Sequence, residues 1–306
     1  MSSKFTLTAY LSFMLFLAAF SSSYAQETIR CHTDERMELY FKQHPIHKKQ
    51  IQQELDFKQR PIGPLAKSSI TTIPVHVIIV HPPGQSIGTG SNLSVPHIES
   101  QITVLNEDFR RMNADASNTP SVFSAVDSEI EFCLATVDPS GNPTDGITRY
   151  GTNQNLNSNE VAIKTATGWD NTQYLNIWVG PNLGGLLGWS YLPSTGSIPS
   201  SDIDGVVVAT NSFGGPGFAT GAPYDLGRTA THEIGHYLGL RHVWGNGGCV
   251  SDDGFTDTPI QQGSNFGCPN HPSPSCSNGG DMFMNYMDYV DDDCMNAFTQ
   301  QQADQM

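Results

Sequence analysis

His232-Glu-Ile-Gly-His-Tyr-Leu-Gly-Leu-Arg-His242 is the stretch that decides how the chain is read. His232 and His236 are four residues apart, so on a helix they share one face, one turn apart. Two imidazoles so placed can hold one zinc ion, with Glu233 beside them. Gly239 has no Cβ and can take the left-handed conformation that ends a helix and turns the chain. His242 then returns as a third nitrogen ligand. Three protein ligands leave a fourth zinc position open for water, the pattern of a catalytic rather than a structural site. Glu233 is placed to be the general base on that water. Agreement at three His, one Glu and one Gly makes the pattern far more specific than a bare HExxH. A helix with satisfied surface histidines is the bland alternative.

Downstream, Met284-Asn-Tyr-Met-Asp-Tyr289 offers a Met-turn. With it, the chain from about residue 70 to its end resembles the metzincin zinc endopeptidases. Within that clan it most resembles the pappalysin family, whose pattern is N-Y-M-D-Y with a cysteine five residues beyond the tyrosine. Here Cys294 stands five beyond Tyr289. The resemblance implies that Met287, rather than Met284, is the apolar floor beneath the histidines. It implies that the Tyr289 phenol hydrogen-bonds the oxyanion of the tetrahedral intermediate; read without the family, Tyr289 is equally a packed aromatic. It pairs Cys249 with Cys276 and Cys268 with Cys294, where sequence alone allows three pairings.

Ser251 to Pro259 is dense in oxygen ligands around Gly254, which suits Ca²⁺. The resemblance makes Asp253 and Thr258 the best calcium candidates, with Thr256 and Asp257 nearby; an Asp/Thr turn capping a short helix is the alternative. Some pappalysin-like enzymes prefer Arg or Lys at P1′ and carry an acidic residue immediately before the last cysteine. Asp293 holds that place, with a solvated acidic turn as the alternative.

The net charge of −15 over 306 residues argues against a nucleic-acid partner and suits basic substrates, with ordinary surface acidity as the alternative; the resemblance implies protein or peptide substrates. Four of the six cysteines lie at or beyond Cys249, which reads as two disulfides in an oxidising compartment. Residues 1–25 read as a secretory signal peptide: Lys4, an apolar Tyr10–Phe20, then small residues before a cut at Gln26. That run is too short and early for a comfortable membrane span, so the mature protein is expected to be secreted, with no membrane span.

Residues 26–69 read as a propeptide and linker, with a helical pattern from Thr33 to Arg60 broken at Pro45 and a linker at Pro61–Pro64. The protein's own propeptide would act as its inhibitor; an appendage without inhibitory function is the alternative. Cys31 could supply a thiolate as fourth zinc ligand of a zymogen. Its rivals are a disulfide with Cys133 or a free thiol.

Residues 70–306 read as the catalytic domain, with subdomains 70–239 and 240–306. Strands are expected at Ile73–Val80, Glu129–Ala135 (burying Cys133), Gln173–Gly180 and Gly205–Ala209. Helices are expected at Pro96–Met112 and Asp225–Leu238. Alternating strands and helices give an α/β (α+β) metzincin-type zincin with a twisted, mostly parallel sheet. Its C-terminal subdomain is expected to be irregular and disulfide-tethered. His76 and His81 belong to a strand and are not ligands. Gly185–Trp189 is the expected edge strand, to which an extended substrate adds antiparallel; a Gly-rich surface loop is the alternative. The function expected is a secreted zinc endopeptidase made as a zymogen. A catalytically silent zinc-binding interaction module is the alternative, against which the presence of both Glu233 and Tyr289 argues.

Overall fold

The computed structural model describes residues 28–45, 48–49, 70–193 and 203–306. The expected signal peptide and most of the linker lie outside them. The elements are β1 (Ile29–Cys31), α1 (Thr33–Gln43), β2 (Thr71–His81), α2 (Val95–Phe109), β3 (Ile130–Leu134), β4 (Ile147–Gly151), α3 (Leu156–Thr167), β5 (Leu175–Gly180), β6 (Leu186–Trp189), β7 (Val206–Ala209), α4 (Arg228–Tyr237) and α5 (Gln300–Gln305).

β2 is the spine of the sheet. Its β-branched run is buried on both faces, as a strand covered by helices on each side must be. It is long enough for β3 and β4 to share one of its edges in sequence, along 71–75 and 77–81. The strand order is β1-β6-β7-β5-β2-β3, and every pairing is parallel except β6 with β7. Period-two alternation sends Val75, Val77 and Ile79 to one face, where α2, α4 and the C-terminal region pack. Ile78 and Val80 point to the other face, onto α3, Trp178, Trp189 and two side chains of α1, Met37 and Tyr40.

α2 begins at Val95 because Ser94 Oγ accepts from His97 N and Pro96 pre-sets the first turn. α4 begins at Arg228, three residues later than the sequence suggests, because Gly227 at φ +82° lies outside helical space. In β3 the inward positions are taken by Ile130 and Phe132, so Cys133 faces solvent and is not buried as expected. β1 and β3 stand at opposite ends of the sheet, which rules out a Cys31–Cys133 bridge. The disulfides are Cys249–Cys276 and Cys268–Cys294. No helix among the described residues is long and apolar enough to cross a membrane.

Candidate active site

α4 ends in a Schellman motif. Gly239, at φ +96°, donates its N–H to His236 O, and Leu240 donates to Gly235 O. The reversal brings His242 back beneath the helix. The Nε2 atoms of His232 and His242 lie 3.1 Å and 3.0 Å from that of His236. Every outer Nδ1 has an acceptor: Tyr286 O at 2.6 Å for His232, Leu240 O at 2.8 Å for His236, and Asp34 Oδ2 at 2.7 Å for His242. A ring nitrogen facing an oxygen acceptor carries the proton, so each Nε2 presents a lone pair. Three lone pairs aimed at one point repel unless a cation lies between them. That donor set, with its outer nitrogens tied to oxygen, fits zinc. Burial, then the neighbouring rings, holds His232 well below the usual histidine range and His236 at about 3. Those two rings are therefore neutral, as ligation requires.

Cys31 joins this group. β1 pairs with β6 in the register Cys31↔Gly188, and the sulfur and the three ring nitrogens all lie within 4.8 Å of one another. Burial, then Glu233, pushes the Cys31 thiol well above its ordinary range; a bound cation opposes that. Glu233 is fully buried, and burial raises its carboxyl to about 8 against hydrogen bonds from Cys31 and Thr33. Its Oε2 accepts from Thr33 Oγ1 at 3.2 Å and lies 3.5 Å from Cys31 Sγ; its Oε1 has no partner among the described residues. Tyr289 donates its phenol to Cys31 O at 3.4 Å, and its ring leans edge-on against His242 and Trp244.

Met287 is fully buried under α4, where a Cβ on Gly235 would overlap its sulfur. Gly235 is thus required inside the helix by packing. The Tyr286 carbonyl that orients His232 is itself held. Tyr286 Oη donates to Asp108 Oδ1 at 2.9 Å, and Thr231 Oγ1 donates to Asp108 Oδ2 at 2.7 Å. This ties α2, α4 and the Met-turn together.

Asp293, expected at the base of a specificity pocket, is exposed and lies against Cys268 Sγ. The short 3₁₀ turn at Asp292–Cys294 points Asp292 inward instead. Asp292 is fully buried and accepts from Leu226 N at 3.0 Å, Arg228 N at 3.2 Å and Arg30 Nη2 at 2.9 Å.

The oxygen-rich segment divides. Asp253 Oδ1 accepts from Thr258 Oγ1 at 2.7 Å, and its buried Oδ2 has no partner among the described residues; burial raises this carboxyl to about 7. Asp257 instead caps α5, accepting from Thr299 Oγ1 and Gln301 N, and Thr256 pairs with Gln301.

Residues 155–306 match the family model described as pregnancy-associated plasma protein-A, peptidase M43. The extracellular metalloprotease of Arthroderma otae is 34% identical over 249 residues, 79% of this chain and 80% of that protein. The chain belongs to the pappalysin family of metallopeptidases. Extracellular metalloprotease 1 of Coccidioides posadasii is 43% identical over 152 residues, a match that spans 48% of this chain and about half, 53%, of that relative. Among solved structures, mature mirolysin of Tannerella forsythia in complex with a cleaved peptide has a TM-score of 0.71 at 46% identity, covering 78% of this chain and 91% of that one. A promirolysin mutant from the same organism has a TM-score of 0.76 at 42% identity, covering 90% and 92%. The metzincin-type α/β fold and the zinc-metallopeptidase class expected from the sequence stand on these likenesses.

Proposed function

We propose that the chain is a secreted zinc endopeptidase made as a zymogen, with residues 70–306 as its catalytic domain and residues 26–69 as its inhibitory segment. The observation that carries this reading is the convergence of three Nε2 lone pairs beside the buried Glu233 carboxyl. His232, His236 and His242 would hold zinc, which supplies a Lewis acid that acidifies water and polarises a carbonyl. Glu233 then takes the proton of the attacking water and hands it to the leaving amine nitrogen. Tyr289, kept protonated by burial, donates to the developing oxyanion. Its bond to the Cys31 carbonyl supports this role, because that is a peptide carbonyl beside the three histidines. The relatives named extracellular metalloproteases support export.

Latency follows from what the segment covers. Cys31 stands beside the three ring nitrogens, Thr33 occupies Glu233, and Asp34 holds His242. β1 runs parallel to β6, whereas an extended substrate would run antiparallel to it. Arg30, one residue before Cys31, therefore sits where the residue after a scissile bond would go. Its guanidinium meets Asp292 with both groups at most 1% exposed. We read Asp292 as the carboxylate that favours Arg or Lys at P1′. On a proteome-derived peptide library, the matured protein should cut before Arg and Lys. Asp292→Asn should cut that preference about a hundredfold, the scale of breaking a buried charge pair. An unchanged P1′ profile removes the pocket assignment. No cleavage by the zinc-loaded matured protein turns the reading to the silent zinc-binding module.

The unpartnered Oδ2 of Asp253 supports a structural Ca²⁺ beside the active-site loop, with Thr258 packed against the same carboxyl. Asp257 and Thr256 are engaged with α5 and fit this role less well. Millimolar calcium should raise the melting temperature by a few degrees, and Asp253→Asn should remove that rise. Equal melting temperatures with calcium and with a chelator sink the site.

A further inference from the structure

Arg36 makes contacts that latency alone does not require. It lies on α1, and its guanidinium covers the face of Trp189 at 4.3 Å from the ring centroid. Nη1 donates to Glu160 Oε2 at 3.1 Å, and Nη2 donates to Asn157 O at 3.2 Å and to Asn157 Oδ1. Glu160 is a buried carboxylate fixed from several sides. Trp189 Nε1 at 2.7 Å and Lys164 Nζ at 2.8 Å hold Oε1, and Tyr191 Oη at 3.0 Å holds Oε2. The acceptors that meet Arg36 are therefore in place without it on α3, and β6 supplies the ring face.

We propose that this seat is a substrate subsite of the matured enzyme, which takes an arginine side chain on the amino-terminal side of the scissile bond. The proposal rests on the peptidase reading above. A peptide added antiparallel to β6 runs its upstream residues past Gly188 towards Ser190 and Tyr191. Thr33 already occupies that stretch, accepting from Ser190 N at 3.0 Å. Removal of α1 uncovers the Trp189 face, Glu160 Oε2 and both Asn157 acceptors together. A planar guanidinium fits them, with donors on two sides and a face to stack. An ammonium has neither the fork nor the plane. The protein would then read one basic residue on each side of the cut, Arg30 marking the downstream seat and Arg36 the upstream one.

The test uses full-length chain matured by removal of its pro-segment and loaded with zinc. Peptides share one primed-side sequence and differ in a single upstream residue, Arg, Lys or norleucine, placed in turn at each of the positions about two to four residues before the cut. At one position the arginine peptide should exceed the norleucine peptide about tenfold in kcat/KM, mainly through KM, with lysine between them. Glu160→Gln should bring that ratio near one. Glu160 is buried, so the exposed Asn157 provides a second variant: Asn157→Lys should also collapse the ratio, through like charge. Neither substitution should move the P1′ preference. Equal rates for the three peptides at every position overturn the seat while the peptidase stands, as does a ratio that survives both substitutions. Hydrolysis of no peptide overturns both readings.

Discussion

Replacement of Glu233 by Gln lowers peptide hydrolysis by the matured protein by about a hundredfold to ten-thousandfold, with zinc content and melting temperature close to those of the wild type. The range is what a positioned general base contributes. Gln keeps the shape and a carbonyl oxygen but cannot accept a proton at neutral pH. The geometry isolates this effect. Among the described residues, Glu233 makes no hydrogen bond to the histidines and its Oε1 has no partner, so the substitution breaks no structural pair there. Its Oε2 partners, Cys31 and Thr33, belong to the segment proposed above to be removed on maturation. The backbone carbonyl of Glu233 stays bound to Ser190 Oγ at 2.8 Å, which keeps α4 docked on β6 in either form. Single-turnover hydrolysis of a fluorogenic peptide, with metal content measured on the same sample, decides the matter. A variant that retains more than a tenth of the rate would move the base elsewhere.

The candidate metal site was legible in sequence because its residues are local. Three histidines and a glutamate fall within eleven residues, and one glycine makes the turn that joins them. The strands read well where burial is two-sided, as in β2 and β5, because a β-branched run has few alternatives. β1 was not legible: three residues carry no periodicity, and its partner β6 lies more than 150 residues away. β4 and α3 were missed for a related reason. β4 is only partly buried, and α3 starts with a polar run whose cap, Asn155, is one polar residue among several. Asp292 against Asp293 shows a finer limit. Three consecutive aspartates look alike in sequence, and the 3₁₀ turn alone decides which faces inward. Cys133 was misassigned by ignoring the alternation that Ile130 and Phe132 impose. Thr33, Asp34 and Arg36 act through contacts more than 120 residues distant, which no local pattern encodes.

The uncut full-length chain carrying Cys31→Ala gains peptidase activity, about a hundredfold over the uncut wild type. Four side chains of the segment engage the site: Arg30 on Asp292, Cys31 beside the three histidines, Thr33 on Glu233 and Asp34 on His242. The sulfur is the one of the four that lies beside the three ring nitrogens, where a zinc-bound water would sit; Arg30 and Thr33 fill places that a substrate strand would take, and Asp34 helps to hold the segment there. Losing a charge-assisted contact of about 3 kcal/mol shifts the closed-to-open ratio by about a hundredfold. The remaining anchors keep the gain below that of full maturation, and Arg30→Ala added to Cys31→Ala should close the gap. Mass spectrometry of the intact chain at the time of assay excludes self-cleavage as the cause. A second readout needs no activity. With Glu233→Gln present to prevent processing and cobalt(II) in place of zinc, the chain should show a thiolate-to-cobalt charge-transfer band that Cys31→Ala removes. A band that persists in Cys31→Ala, or an uncut Cys31→Ala chain as silent as the wild type, would leave the segment blocking the cleft by bulk alone, with the sulfur a bystander.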